Sequence, residues 1–153
     1  DTRRKATLFV AKDGATIIGC AGVELDGAAD DSNLVPVLSN VATAREGRRR
    51  GVATILIKEA EKRVKEWGCT EMDLVVEESN KPARNLYSKL GYTVVSKDTA
   101  SDTLVPTDDG RIAKQTTTTL TMRRDLNGGG AALLPVAGAV VIALGGFAYL
   151  NLF

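Results

Sequence analysis

The sequence predicts an α/β fold, a mixed sheet with helices on its faces, followed by one apolar membrane helix. Three observations predict it. Two β-branched runs near the start are joined by a tight turn. A helix of clear 3.6-residue period lies between two strands. From residue 131 to residue 152 the chain carries no charge.

The elements follow in order. Thr7 to Ala11 and Thr16 to Leu25 are apolar, β-branched runs around Lys12-Asp13-Gly14, the pattern of a hairpin. Asp26 to Asn33 is a polar loop. Leu34 to Thr43 reads as a strand, with Pro36 marking an edge or a bulge at its start. Arg45 to Gly51 is a basic loop closed by glycine. In the helix Val52 to Trp67, the residues Val52, Ile55, Leu56, Ala60, Val64 and Trp67 recur at helical spacing. Glu59 and Arg63 form an i,i+4 pair on its charged face. Gly68 stops it. Glu71 to Glu77 is a buried strand. A strand, a helix and a strand in succession make a crossover, hence at least one parallel pair in the sheet. Ser79 or Asn80 caps a short helix from Ala83 to Leu90, with Pro82 in its first turn. Tyr92 to Ser96 is a strand, Lys97 to Gln115 a long polar loop, and Thr116 to Met122 a threonine-rich strand.

Composition narrows the function. The 153 residues carry a formal net charge of +1, which gives no general attraction to nucleic acid. There is no histidine, so the commonest general base and metal ligand are missing. The two cysteines, Cys20 and Cys69, share no metal spacing and read as buried reduced thiols. No metal site is expected. The chain opens on Asp1 rather than Met, which reads as loss of a preceding segment, such as a targeting peptide or further domain sequence.

The stretch Arg48-Arg49-Arg50-Gly51-Val52-Ala53 runs into a helix N-terminus. That end offers unpaired N–H groups and the positive end of the helix dipole to an anion. Gly51 and Ala53 let a ligand approach the backbone, and the arginines add donors suited to phosphate. Taken alone, the stretch fits a solvated basic turn equally well. It is not a Walker loop, because no Gly-Lys-Ser/Thr closes it.

The surroundings add a resemblance. Arg48 to Ala53 resembles the Arg/Gln-x-x-Gly-x-Gly/Ala signature of the GCN5-related N-acetyltransferase (GNAT) family. Asn80, Ala83, Leu86, Tyr87, Gly91 and Tyr92 resemble its second signature. The two stand in the family's order, and the likeness spans roughly Thr7 to Met122, closest to the plant, algal and cyanobacterial branch. It implies acetyl-CoA as co-substrate. The backbone of Arg48, Arg49, Arg50, Gly51, Val52 and Ala53 would hold the pyrophosphate. The pantetheine arm would lie along Val41, Ala42 and Thr43, whose N–H groups would polarise the thioester carbonyl. Thr43 stands where valine is usual. Asn80 would reach the pantetheine, and Tyr87 would protonate the leaving thiolate. Glu24, Glu77 and Glu78, at predicted strand ends, are candidate bases for the acceptor amine, with Glu77 preferred. The family's usual first strand and two helices are missing before Thr7.

The expected organisation is an N-terminally incomplete acetyltransferase domain over residues 1–126, a glycine-rich linker over 127–130 and a transmembrane helix over 131–153. About 20 apolar residues are enough to span a bilayer. Arg123 and Arg124 before the span place the domain on the cytoplasmic or stromal side. Pro135, Ala139, Ala143 and Gly146 make a small-residue face, so another transmembrane protein is an expected partner. The compartment expected is a plastid thylakoid. The expected function is a membrane-anchored N-acetyltransferase acting on a protein lysine, a protein N-terminus or a small amine. The alternative is a catalytically silent structural subunit of a membrane complex, such as a photosynthetic assembly.

Overall fold

The computed structural model describes residues 2–28, 33–128 and 140–145. They form two compact units. One holds the described residues up to Asp73 together with those from Asp125 onward; the other runs from Leu74 to Arg124.

The first unit opens with β1 (Thr2–Asp13) and β2 (Thr16–Ala28). They form the expected antiparallel hairpin, but longer, with pairing from Asp13↔Thr16 out to Thr2↔Ala28. Gly14 takes the turn at φ 58°, a conformation that favours glycine. β3 (Val37–Thr43) pairs antiparallel with β2. It starts later than Leu34 because Pro36, which has no N–H to give a ladder, stands just before it. Helix α1 (Val52–Glu66) follows, and Gly68 ends it at φ 83°. The chain then enters β4 (Glu71–Glu77), where the Asp73 N–H donates to the Pro36 carbonyl at 2.9 Å. The crossover is therefore present, and the strand order in this unit is β4-β3-β2-β1-β7, where β7 is Val140–Gly145.

Helix α1 packs on β1, β2 and β3. Val52, Leu56, Ala60 and Val64 are buried as their spacing requires. Ile57 and Glu61 are buried too, whereas Ile55 and Trp67 are only half-buried, so the inward stripe is rotated from the expected one. Glu61 is tolerated there because Lys58 Nζ lies 3.1 Å from its carboxylate. Phe9, Ile18, Ala21, Val23 and Leu38 also lie in this core.

The tail departs from expectation. Val140–Gly145 form a strand, β7, antiparallel to β1 from Lys12↔Val140 to Thr7↔Gly145. The predicted membrane helix covers these residues, and the rest of it lies outside the described residues. Val140, Val141 and Ile142 are β-branched and suit a strand. The outer edge of β1 supplies the row of backbone partners. Among the described residues, no helix is long and apolar enough to cross a membrane.

The second unit holds the end of β4, helix α2 (Lys81–Lys89), β5 (Thr93–Pro106) and β6 (Ile112–Asp125). The predicted polar loop over Lys97 to Gln115 is mostly strand. β5 and β6 pair antiparallel from Thr93↔Arg123 to Pro106↔Ile112, around a short turn with Gly110 at φ 78°. Polar pairs replace apolar alternation here. Lys114 Nζ lies 2.5 Å from Asp102, and the hydroxyls of Ser101 and Thr119 are 2.6 Å apart. Leu74, Val76, Tyr87, Tyr92, Leu120 and Met122 are buried.

Candidate active site

The basic stretch lies at the start of α1 in the first unit. Arg48 is extended (φ −69°, ψ 151°), and Arg49 and Gly51 take positive φ, 57° and 74°, on either side of Arg50, whose φ is not positive. Alternation of hand turns successive N–H groups toward one side, which makes a backbone concavity for an anion. The first bond into α1 is donated by the Ile55 N–H to the Gly51 carbonyl at 3.1 Å. The helix N–H groups before it have no intrahelical partner. The N-cap, Gly51, contributes no side chain that would occupy them. Arg48 and Arg49 are exposed. Arg50 is half-buried, and its Nη2 lies 2.9 Å from Asp13 Oδ2.

The segment Val41–Thr43 lies beside this loop. Two close contacts hold them together. Gly19 of β2 sits between the Ala42 carbonyl and the Val52 side chain; a Cβ at Gly19 would stand 3.1 Å from that oxygen and 2.8 Å from Val52 Cγ1. Gly47, in the 3-10 turn Arg45–Gly47, presses on the Ile18 carbonyl, which a Cβ would meet at 2.7 Å. The Ala44 N–H donates to the same carbonyl at 2.9 Å. β3 is bulged where the segment begins. Cys20 pairs with Ala42 and Gly22 with Ser39, so Asn40 and Val41 oppose Ala21 alone. Asn40 takes a φ of 52°, and its carbonyl accepts the Cys20 thiol at 3.4 Å. A bulge bends its strand and re-aims the residues after it.

Sequence reasoning missed Asn40, Gly19 and Asp13 as parts of this arrangement. Two signals were available. Asn is the common non-glycine residue at positive φ, and a glycine inside a strand marks a close backbone approach. Cys20 and Cys69 are free thiols, as expected, but each is half-buried rather than buried.

The remaining predicted residues belong to the second unit, apart from Glu24 on β2. Asn80 is the N-cap of α2; its Oδ1 accepts the Ala83 N–H at 3.2 Å, which leaves the amide NH₂ as a donor. Tyr87 is 8% exposed and meets Tyr92 edge-to-face, with ring centroids 6.0 Å apart. Burial pushes its phenol above the ordinary tyrosine value, so it stays protonated at neutral pH. Glu77 ends β4 half-buried, with the Ser79 hydroxyl at 3.5 Å from its Oε2. Glu78 is held by Lys97, whose Nζ lies 2.8 Å away. Glu24 is half-buried and pairs across to Val37.

A bulged strand beside an alternating-hand loop and a helix start, within a mixed sheet, defines a protein able to seat an extended ligand that carries phosphate. Comparison with known proteins places the chain further. Residues 1–92 match the model of the Acetyltransferase (GNAT) family, more than half of the chain, and the chain belongs to that family. It is 42% identical over 55 residues to GCN5-related N-acetyltransferase 7, chloroplastic, of Arabidopsis thaliana, covering 36% of this chain and 20% of that protein. It is 31% identical over 98 residues to an N-alpha-acetyltransferase of Sulfurisphaera tokodaii, covering 60% of this chain and 59% of that protein. The chain thus spans a fifth of the plant relative's length and about three-fifths of the archaeal one's. Among solved structures it resembles Arabidopsis thaliana NAA60 in complex with acetyl-CoA, with a TM-score of 0.66 at 18% identity, over 81% of this chain and 78% of that one. It also resembles a GNAT family acetyltransferase from Elizabethkingia anophelis with acetyl-CoA bound, with a TM-score of 0.61 at 18% identity, over 80% and 77%. At these identities the likeness is one of fold.

Proposed function

We propose that this protein is an acetyl-CoA-dependent N-acetyltransferase. The observation that carries the reading is the loop from Arg48 to Gly51, whose alternating φ angles end on the unpaired N–H groups of α1. Those groups hold the pyrophosphate, and Val41–Thr43 receives the pantetheine. The N–H groups of that segment stabilise the oxyanion that forms as the amine attacks the thioester carbon. Asn80 supplies its amide NH₂ to the pantetheine. Tyr87 gives its proton to the departing thiolate, a base of comparable pKa. Glu77, directly or through water, takes the proton of the acceptor amine.

The acceptor class we favour is a protein α-amine. With no histidine in these 153 residues, the base in this reading is a carboxylate, acting directly or through water, and a weak one. An α-amine, with a pKa of about 8, is partly neutral at physiological pH, whereas a lysine amine, near about 10.4, is not. The name of the archaeal relative agrees with this choice. Calorimetry with acetyl-CoA, followed by mass spectrometry of peptides offered as acceptors, tests both parts. Absence of acetyl-CoA binding refutes the enzyme reading and favours a silent structural subunit. Acetylation confined to lysine side chains refutes the acceptor class.

A membrane-attached form, with the domain on the cytoplasmic or stromal side, is a second reading. The uncharged stretch 131–152 and the plant relative's chloroplastic designation support it; the place of Val140–Gly145 beside β1 speaks against it.

A further inference from the structure

Three arginines precede Gly51, but they are not equivalent. Arg48 and Arg49 are exposed, while the guanidinium of Arg50 is tied twice. Its Nη2 lies 2.9 Å from Asp13 Oδ2, at the β1–β2 turn, and its Nη1 donates to the Glu46 carbonyl at 3.5 Å. One side chain therefore links the hairpin turn, the 3-10 turn and the anion loop. The loop is anchored at its two ends by Gly47, buried against Ile18, and by Val52, which is 2% exposed. Between those anchors the backbone holds Arg49 at a φ of 57°. A non-glycine residue keeps that conformation only where its surroundings enforce it.

We propose that Asp13 is a positioning residue for the anion loop. Acting through Arg50, it keeps the loop in the alternating hand that aims its N–H groups at phosphate. Arg50 then serves as a staple, and Arg48 and Arg49 are the side chains left to meet the ligand. This inference rests on the acetyl-CoA reading above.

The proposal predicts a sign opposite to simple electrostatics. Asp13 is a negative charge near a site for an anion, so deleting it should by charge alone tighten binding. As a positioning residue, its loss should weaken binding. The experiment is calorimetry of acetyl-CoA on the full chain with Asp13→Asn, Arg50→Gln and the double variant, alongside melting temperatures. Asp13→Asn is expected to raise Kd about threefold, the size an exposed ion pair supports. The KM for acetyl-CoA should rise with it while kcat at saturation holds. The double variant should be no weaker than Arg50→Gln alone, because Asp13 acts only through that partner. Asp13→Glu should restore most of the parent affinity. Should Asp13→Asn fail to fold, Arg50→Lys reads the same tie, since lysine keeps the charge but loses the two-pronged contact; it too should weaken binding. Equal or tighter binding by Asp13→Asn, additive losses in the double variant, or full affinity in Arg50→Lys would overturn the proposal. A parent chain that binds no acetyl-CoA would overturn the cofactor reading and Asp13's role with it; a parent that binds normally beside an unaffected Asp13→Asn would overturn this inference alone.

Discussion

Replacing Gly19 by alanine tests how the site is held together. The new methyl would stand 2.8 Å from Val52 Cγ1, 3.1 Å from Leu56 Cδ1 and 3.1 Å from the Ala42 carbonyl oxygen. Carbon atoms in good contact sit about 3.5–4.0 Å apart. Val52 must therefore retreat by roughly 0.7 Å, taking 3.5 Å as the limit. It cannot swing into solvent, because it is 2% exposed and Leu56 is 0% exposed. The Ala42 carbonyl belongs to a paired strand and cannot rotate away. Overpacking of this kind costs about 1–3 kcal/mol. Alanine's smaller unfolded-state freedom offsets roughly 0.4–1 kcal/mol of that. A net loss of about 1–2 kcal/mol lowers the melting temperature by roughly 2–8 °C in a chain of this size. The strain also pushes the first residue of α1 away from β2 and presses on β3 at the Ala42 carbonyl, and α1 and β3 carry the proposed pyrophosphate and pantetheine sites. We expect acetyl-CoA affinity to fall by about tenfold, equivalent to about 1.4 kcal/mol. Thermal melting and calorimetry measure the two effects. Adding Val52→Ala to Gly19→Ala should recover part of the binding, since it removes the closest contact. A Gly19→Ala chain that melts and binds like the parent would show that the gap has slack and that this contact does not place the helix start.

Other predictions address single parts of the mechanism. Gly51→Glu puts a side chain at a φ of 74° and a negative charge beside the proposed pyrophosphate site; binding of acetyl-CoA should become undetectable by calorimetry, and retained binding would exclude this loop. Tyr87→Phe should lower kcat at least tenfold with little change in acetyl-CoA Kd, because in the proposed mechanism the hydroxyl is needed only as the thiolate leaves; equal kcat would remove Tyr87 from the reaction. Burial raises the Tyr87 pKa in the fold, so its contribution to stability is complete below the unfolded value of about 10 and is lost as pH rises through the higher folded value. The group does not titrate between pH 6 and 9 on that ground, and an α-amine acceptor should give a kcat/KM that rises to a plateau with a midpoint of about 8; a profile still climbing above pH 9.5 would indicate a lysine acceptor. Alkaline carbonate extraction of membranes from cells making the full chain should release it if β7 is the state of residues 140–145, and retention would favour a span instead.

The local elements were legible because each is written in a few adjacent residues. The Gly14 turn, the 3.6-residue period from Val52 and the Asn80 cap need no distant partner to be recognised. So were the loop ending at Gly51 and the position of Tyr87, because both fall inside short signatures. The long β5–β6 hairpin was hidden by its own chemistry. Between Lys97 and Gln115 none of its residues is buried, so pairs such as Asp102 with Lys114 replace the apolar alternation that marks a half-buried strand.

What tertiary structure alone decided is which distant residues meet. Asp13 and Arg50 are 37 positions apart, as the numbering shows, and no periodicity relates them. The β3 bulge at Asn40 arises from register, since Asn40 and Val41 share the single residue Ala21 across the ladder. The uncharged tail shows the same limit most plainly. Apolar, β-branched residues suit a membrane helix and a strand alike, so composition does not separate the two. The two differ in where the backbone finds its hydrogen bonds: inside the segment for a helix, on a neighbouring strand for β7. For Val140–Gly145 that neighbour is β1, whose free edge comes into being only once the hairpin has folded.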